Sequence, residues 1–160
     1  MTKEEKEVLI KDLCARLPYG VKAYVKNWSK LDRKYYEGTY TVESVCPSLN
    51  NVLVMSDKFS VEVIVGYDDY VIKPYLFPLT AITKEQFAEL LELCNIYVPD
   101  TDYLPYESWG IRFCMKYLRD KNPTYFLNYE LIEYLNKHHF DYNDLIGKGL
   151  ALNAEGLNIY

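Results

Sequence analysis

The 160-residue chain is 49% apolar and 26% charged, a balance that excludes wholesale disorder and suits one domain burying roughly two-thirds of its unfolded surface. Its formal charge of −5 falls entirely on the second half: residues 1–80 hold 11 basic and 11 acidic side chains, residues 81–160 hold 7 and 12. An acidic second half repels phosphate backbones and anionic membranes, which confines any nucleic-acid role to the first half.

Thr2 and Glu5 form a capping box ahead of an apolar stripe of Leu9, Ile10, Leu13, Cys14 and Leu17, which predicts a helix from Lys3 to Arg16. Pro18 and Gly20 end it. From Val21 the period changes to two, with Val21, Ala23 and Val25 alternating with Lys22, Tyr24 and Lys26 as a half-buried strand does. Further strands are predicted at Tyr36–Val45, Asn51–Met55 and Ser60–Val65, and a short one at Tyr70–Ile72 that stops before Pro74. Four or five short antiparallel strands in such a stretch predict a small, strongly bent antiparallel sheet or an SH3-like barrel.

The character changes between Pro74 and Thr83. Thr83 and Gln86 make a second capping box before Phe87, Leu90, Leu91 and Cys94 at helical spacing. Residues 99–105, with two prolines and two aspartates, read as a loop or hinge, and Ile111, Cys114, Met115 and Leu118 as a helix ending before Asn122-Pro123. Asn128 can cap a last helix through His138 with Leu131, Ile132 and Leu135 inside, and Asp144–Gly147 can add one turn. The expected fold class is therefore α+β in a single domain: N-terminal helix, β-rich part 18–78, helical part 83–147 and an extended tail 148–160.

The 17 Tyr, with 6 Phe and 2 Trp, are the one unusual number; Tyr packs with its ring half buried and its hydroxyl wet, which suits core and contact surface equally. Cys14, Cys46, Cys94 and Cys114 lack any C-x-x-C spacing, so they read as free thiols in a reducing compartment rather than a disulfide framework or zinc site. Met1 opens onto the charged run Lys3–Glu7, and no 18-residue apolar stretch occurs; a cytoplasmic location and no membrane partner are expected.

Two segments invite a functional reading. The first is the basic aromatic run Lys22, Lys26, Trp28, Lys30, Arg33, Lys34, Tyr35 and Tyr36, opposed within the run only by Asp32 and interleaved also with Tyr24. Cations beside stackable rings on a small barrel bind single-stranded nucleic acid in many modules, but a solvated strand face with core aromatics explains the same residues, and no nucleic-acid motif accompanies them. The second is His138-His139 followed by Asp141 and Asp144. Adjacent helical residues point about 100° apart, so the two rings cannot share a metal as an i, i+4 pair does, and His near a helix C-terminus is favoured by the macrodipole alone. Asp68-Asp69 and Asp100/Asp102 lack the calcium-loop spacing and read as turns. No P-loop, G-x-S-x-G, H-E-x-x-H or G-x-G-x-x-G occurs, so no catalytic residue, metal or cofactor is assigned.

Three segments carry a resemblance: Leu13 to Val25 (LCARLPYGVKAYV); Lys73 to Leu79 (KPYLFPL) running into the helix at Thr83; and Tyr134 to Leu152 (YLNKHHFDYNDLIGKGLAL). Together they resemble a family of uncharacterised proteins carried by gut anaerobes, their phages and mobile elements, with Phe77 standing where the family more often has Arg. The resemblance implies a genomic setting and no reaction. Such a setting favours small accessory proteins that act by binding, which makes another protein the expected partner, nucleic acid the alternative, and a ligand or enzyme site near His138 and His139 a third possibility.

Overall fold

The computed structural model describes residues 1–29, 34–56, 60–68, 70–93 and 129–160. Contacts divide the chain into two compact units, Met1–Leu76 with Asn143–Tyr160, and Phe77–Tyr142. The predicted loop at 99–105, the predicted helix around Ile111–Leu118, and Lys30, Arg33, Cys94 and Cys114 lie outside the described residues.

In the first unit, helix α1 (Lys3–Arg16) has the predicted bounds, and its capping box is made in both directions: Thr2 Oγ1 accepts from the Glu5 amide at 3.1 Å and Glu5 Oε2 accepts from the Thr2 amide at 2.7 Å. A single 3₁₀ turn over Leu17–Tyr19 then ends on Gly20 at φ +66°, a left-handed conformation that glycine adopts at no steric cost. Five antiparallel strands follow: β1 (Lys22–Ser29), β2 (Lys34–Cys46), β3 (Asn51–Met55), β4 (Ser60–Ile64) and β5 (Tyr70–Leu76). A two-residue strand, β6 (Leu152–Asn153), adds parallel to the end of β5. The sheet order is β4-β3-β2-β1-β5-β6. No ladder among the described residues joins its two edges, so the α+β class stands with an open six-stranded sheet in place of a closed barrel.

Alternation decides which residues are core. Val21, just before β1, and Ala23 and Val25 of β1 lie on the same side as Tyr40 and Val42 of β2, Val52 and Val54 of β3, Val61 and Val63 of β4, and Ile72 and Leu76 of β5. Leu9, Ile10 and Leu13 of α1 and Leu145, Leu150 and Ala151 complete the same cluster. In β2 the register shifts between Val42 and Ser44. That bulge leaves Glu43 and Ser44 both exposed and returns Val45 to the inner side, and it bends the longest strand of the sheet.

Strand β5 runs through Pro74 where the sequence predicted a stop. Val42 N–H donates to Val21 O at 2.9 Å, so the odd-numbered residues of β1 turn their main-chain groups toward β2. Pro74 stands opposite Ala23, where no donor toward β1 is required, and its missing N–H costs no rung.

Asp12 and Arg16 form a bidentate pair one turn apart on α1, Nε to Oδ2 at 2.7 Å and Nη2 to Oδ1 at 3.1 Å, with both side chains fully enclosed. Asn143 Nδ2 donates to the same Asp12 Oδ1 at 2.9 Å, tying the returning segment to α1. The turn predicted at Asp144–Gly147 is present, closed by the Lys148 amide on Asp144 O, and the tail 148–160 is less extended than predicted, with a further turn at Ala154–Leu157 after the short β6.

The second unit holds α2 (Lys84–Leu93), capped by Thr83 and Gln86 as predicted, and α3 (Tyr129–Lys137). Leu79, Ile82, Leu90, Leu131, Leu135 and Phe140 pack as their common core. Among the described residues no helix is long and apolar enough to cross a membrane.

Replacing Arg16 with Met leaves the enclosed Asp12 carboxylate, which also accepts from the Asn143 amide, without its guanidinium, and is expected to lower unfolding free energy by about 3–5 kcal/mol. Thr2→Ala, which removes only an exposed cap, should cost about 1 kcal/mol. Urea unfolding followed by circular dichroism measures both, and equal losses would show that the pair contributes no more than a cap.

Candidate functional site

The even-numbered residues of β1 face away from the core. Lys22, Tyr24, Lys26 and Trp28 stand across from Thr41, Thr39, Glu37 and Tyr35 of β2, and Tyr24 and Lys26 stand across from Lys73 and Val71 of β5. The basic aromatic run is thus divided by the pleat: Lys22, Lys26 and Trp28 share the outer face, whereas Tyr36, opposite Asn27, lies on the inner side. Lys34 and Tyr35 occupy the start of β2 with their side chains outside the described residues, as are Lys30 and Arg33.

The outer face is polar and aromatic, and its polar groups are tied together. Tyr24 Oη donates to Glu37 Oε1 at 2.6 Å, and Lys26 Nζ lies 3.5 Å from Glu37 Oε2 with its side chain 41% exposed. The hydrogen bond to Glu37 pushes the Tyr24 phenol up to about 12, and the same bond, aided by the Lys26 ammonium, holds the Glu37 carboxyl below its ordinary value. Thr39 Oγ1 and Tyr75 Oη share a hydrogen bond of 3.2 Å, and Lys22 Nζ donates to Ile159 O at 2.6 Å. Toward β3 the face becomes apolar: Leu53 and Met55 are 37% and 44% exposed, and Met55 stands across from Thr41.

Sequence reasoning located Lys22, Lys26 and Trp28 but missed Glu37, Lys73, Tyr75, Leu53 and Met55. Period-two counting along β3 and β5 was the signal that places the last four. The role of Glu37 depends on register, which no single strand carries.

The histidine segment resolves into helix termination. His139 adopts φ +56°, its amide donates to Asn136 O at 3.1 Å, and the Phe140 amide donates to Leu135 O at 2.9 Å. This pair of bonds is a Schellman motif with His139 at the left-handed position usually held by Gly or Asn. The His138 ring packs against Tyr134, one turn earlier, at a centroid distance of 4.3 Å with the ring planes tilted by 37°. Desolvation, and secondarily the Lys137 ammonium, hold its imidazole below the ordinary value. Asp141 is buried and its amide donates to Phe77 O, while Asp144 belongs to the first unit, exposed at φ +57°. Among the described residues no group of three or more His, Cys, Asp or Glu is placed to hold a metal.

A cleft of about 370 Å³ in the second unit is lined by Glu89, Glu92, Leu93, Glu130 and Tyr134. Tyr134 Oη donates to Glu89 Oε2 at 2.7 Å, and burial with that carboxylate raises the phenol's pKa. The cleft is acidic and repels anions. In comparisons with known proteins, no family model, curated protein or solved structure matches the chain.

Because its folded value lies above the ordinary 10, neutral Tyr24 adds stability in full below pH about 10, and the contribution is lost as pH rises toward 12. Glu37→Gln removes the acceptor's charge and should return the Tyr24 titration toward 10. Carbon-13 NMR of Tyr-Cζ-labelled protein reads this directly, with Tyr24→Phe assigning the resonance; an unmoved titration would show that Glu37 does not control the phenol.

Proposed function

We propose that this chain is a non-enzymatic interaction protein that recognises another polypeptide with the solvent-facing side of β2, β1 and β5. The observation that carries the reading is the state of the two described lysines of β1. Lys26 is paired to Glu37 and Lys22 to a main-chain carbonyl, while Tyr24 stands between them with its phenol oriented by Glu37. A phosphate backbone needs cations that release counterions on contact, and each of these lysines already has an acceptor of its own chain. A protein surface instead favours oriented aromatics inside a mixed polar rim, because such rings give large contact area with little side-chain entropy left to lose. Exposed Leu53 and Met55 extend the same face with apolar area.

The resemblance to accessory proteins of phages and mobile elements supports action by binding, and free Cys14 and Cys46 suit the reducing cytoplasm. The catalytic alternative loses its motivation where His138 and His139 serve ring packing and helix termination.

Placing a photo-crosslinking benzoylphenylalanine at Trp28 in the native host should give a discrete protein adduct by mass spectrometry, reduced roughly tenfold or more by Tyr24→Ala. Fluorescence anisotropy with single-stranded RNA and DNA at low salt should show no binding. Salt-sensitive nucleic-acid binding with no protein adduct would overturn the reading in favour of a nucleic-acid module.

A further inference from the structure

The ladder between β1 and β5 is paired from Asn27↔Tyr70 to Ala23↔Pro74 and then stops. The next rung would join Lys22 to Tyr75, and the even-numbered residues of β1 are the ones whose main-chain groups face β5. That rung is present in altered form. The Lys22 amide donates to Tyr160 Oη at 3.1 Å, and Tyr160 Oη donates to Tyr75 O at 2.8 Å, so a phenol stands between the two strands as donor and acceptor. Enclosure there pushes the phenol up to about 12 by desolvation, although 42% of the residue's surface stays exposed. Beside it, Lys22 Nζ donates to Ile159 O and lies 6.0 Å from the centre of the Tyr160 ring.

The rest of this segment is lightly held. Glu155, Gly156, Leu157 and Asn158 are exposed, Leu157 by 50%, and the segment reverses direction at Gly156, whose φ of +75° lies in the left-handed region that favours glycine. Two residues thus make four specific contacts with the sheet. An extended peptide would be recognised in the same way, by its main-chain carbonyl on an ammonium and by a hydroxyl-bearing ring filling an unfinished rung.

We propose that the Lys22–Tyr75 end of the outer face is a peptide subsite selective for tyrosine, which the chain fills in cis with Ile159-Tyr160 and which a tyrosine-bearing extended segment of a partner fills by displacing them. The inference deepens the reading of the outer face as a protein-recognition surface and rests on it for the partner's class. Phenylalanine would occupy the ring position and leave the Lys22 amide and the Tyr75 carbonyl without their shared bridge, which is the physical source of selectivity. Occupation in cis keeps the subsite filled at high effective concentration, so a competing segment must bring further contacts elsewhere on the face.

The test uses the full chain carrying Tyr160→Ala, labelled with nitrogen-15, and a blocked synthetic peptide of residues 155–160 at millimolar concentration. The Lys22 amide resonance should shift saturably in the variant and stay unmoved in the wild type, whose own segment is in place. The same peptide with Tyr160→Phe should bind roughly five- to tenfold more weakly. Absence of a Lys22 shift in the variant, an equal shift in the wild type, or equal binding of the two peptides overturns the proposal. If Tyr160→Ala loses its sheet signal by circular dichroism, Tyr160→Phe in the full chain, which keeps the ring and removes only the bridge, serves in the same titration with the same outcomes. The titration needs no natural partner: a positive result with no protein adduct at Trp28 retains the subsite and sinks the wider reading of the face, and the reverse pattern does the opposite.

Discussion

The alternation of main-chain and side-chain directions along β1 constrains nearly everything else in the first unit. This strand is paired on both sides, so odd residues must give their backbone groups to β2 and their side chains to the core, and even residues must do the reverse toward β5 and solvent. Val21, Ala23 and Val25 therefore bury against α1, and Lys22, Tyr24, Lys26 and Trp28 are delivered together to the outer face. A one-residue slip would exchange the two sets and place two ammonium groups in the core, which is why the register is strongly specified. The same parity explains why Pro74 is harmless opposite Ala23 and why the rung at Lys22 is available to the Tyr160 hydroxyl.

Polar groups hold the first unit together across long sequence separation. Asp12 and Arg16 are enclosed, and the carboxylate takes bonds from both the guanidinium and Asn143. An enclosed pair of this kind adds less than its Coulomb energy suggests, since desolvation offsets much of it, but its geometry admits few alternatives. It therefore selects where the returning segment docks. The hydrophobic residues Leu145, Leu150 and Ala151 then supply the buried area that stabilises that docking.

Legibility in the sequence followed the range of the interaction. Helix α1 and its capping box, the second box at Thr83 and Gln86, and strand β3 were readable to the residue because hydrogen bonds three residues apart and a period of two are local signals. Pro74 misled because its cost depends on which neighbour lies opposite, a tertiary property. His138 and His139 looked like chemistry because two titratable residues adjoined. Their separate fates, a ring packed one turn back and a left-handed helix terminus, follow from helical geometry once the helix is known to end at Lys137. The outer face was half legible: its lysines and Trp28 stand in one strand, but Glu37 neutralises Lys26 only through pairing, and Tyr160 reaches Lys22 from 138 residues away.

By itself the sequence determined the α+β class, the capping boxes of α1 and α2, the places of β1 to β4 and the side of β1 on which its basic and aromatic residues stand, because each of these depends on residues within one or two turns or one pleat. Only the tertiary structure decided that the sheet stays open, that an acidic partner meets the lysine beside Tyr24, and that a distant tyrosine completes the β1–β5 ladder. Those outcomes depend on register and on loop closure between remote segments. Neither the spacing of one strand nor the composition of one tail encodes them, since each is settled by the free energy of the whole packed unit.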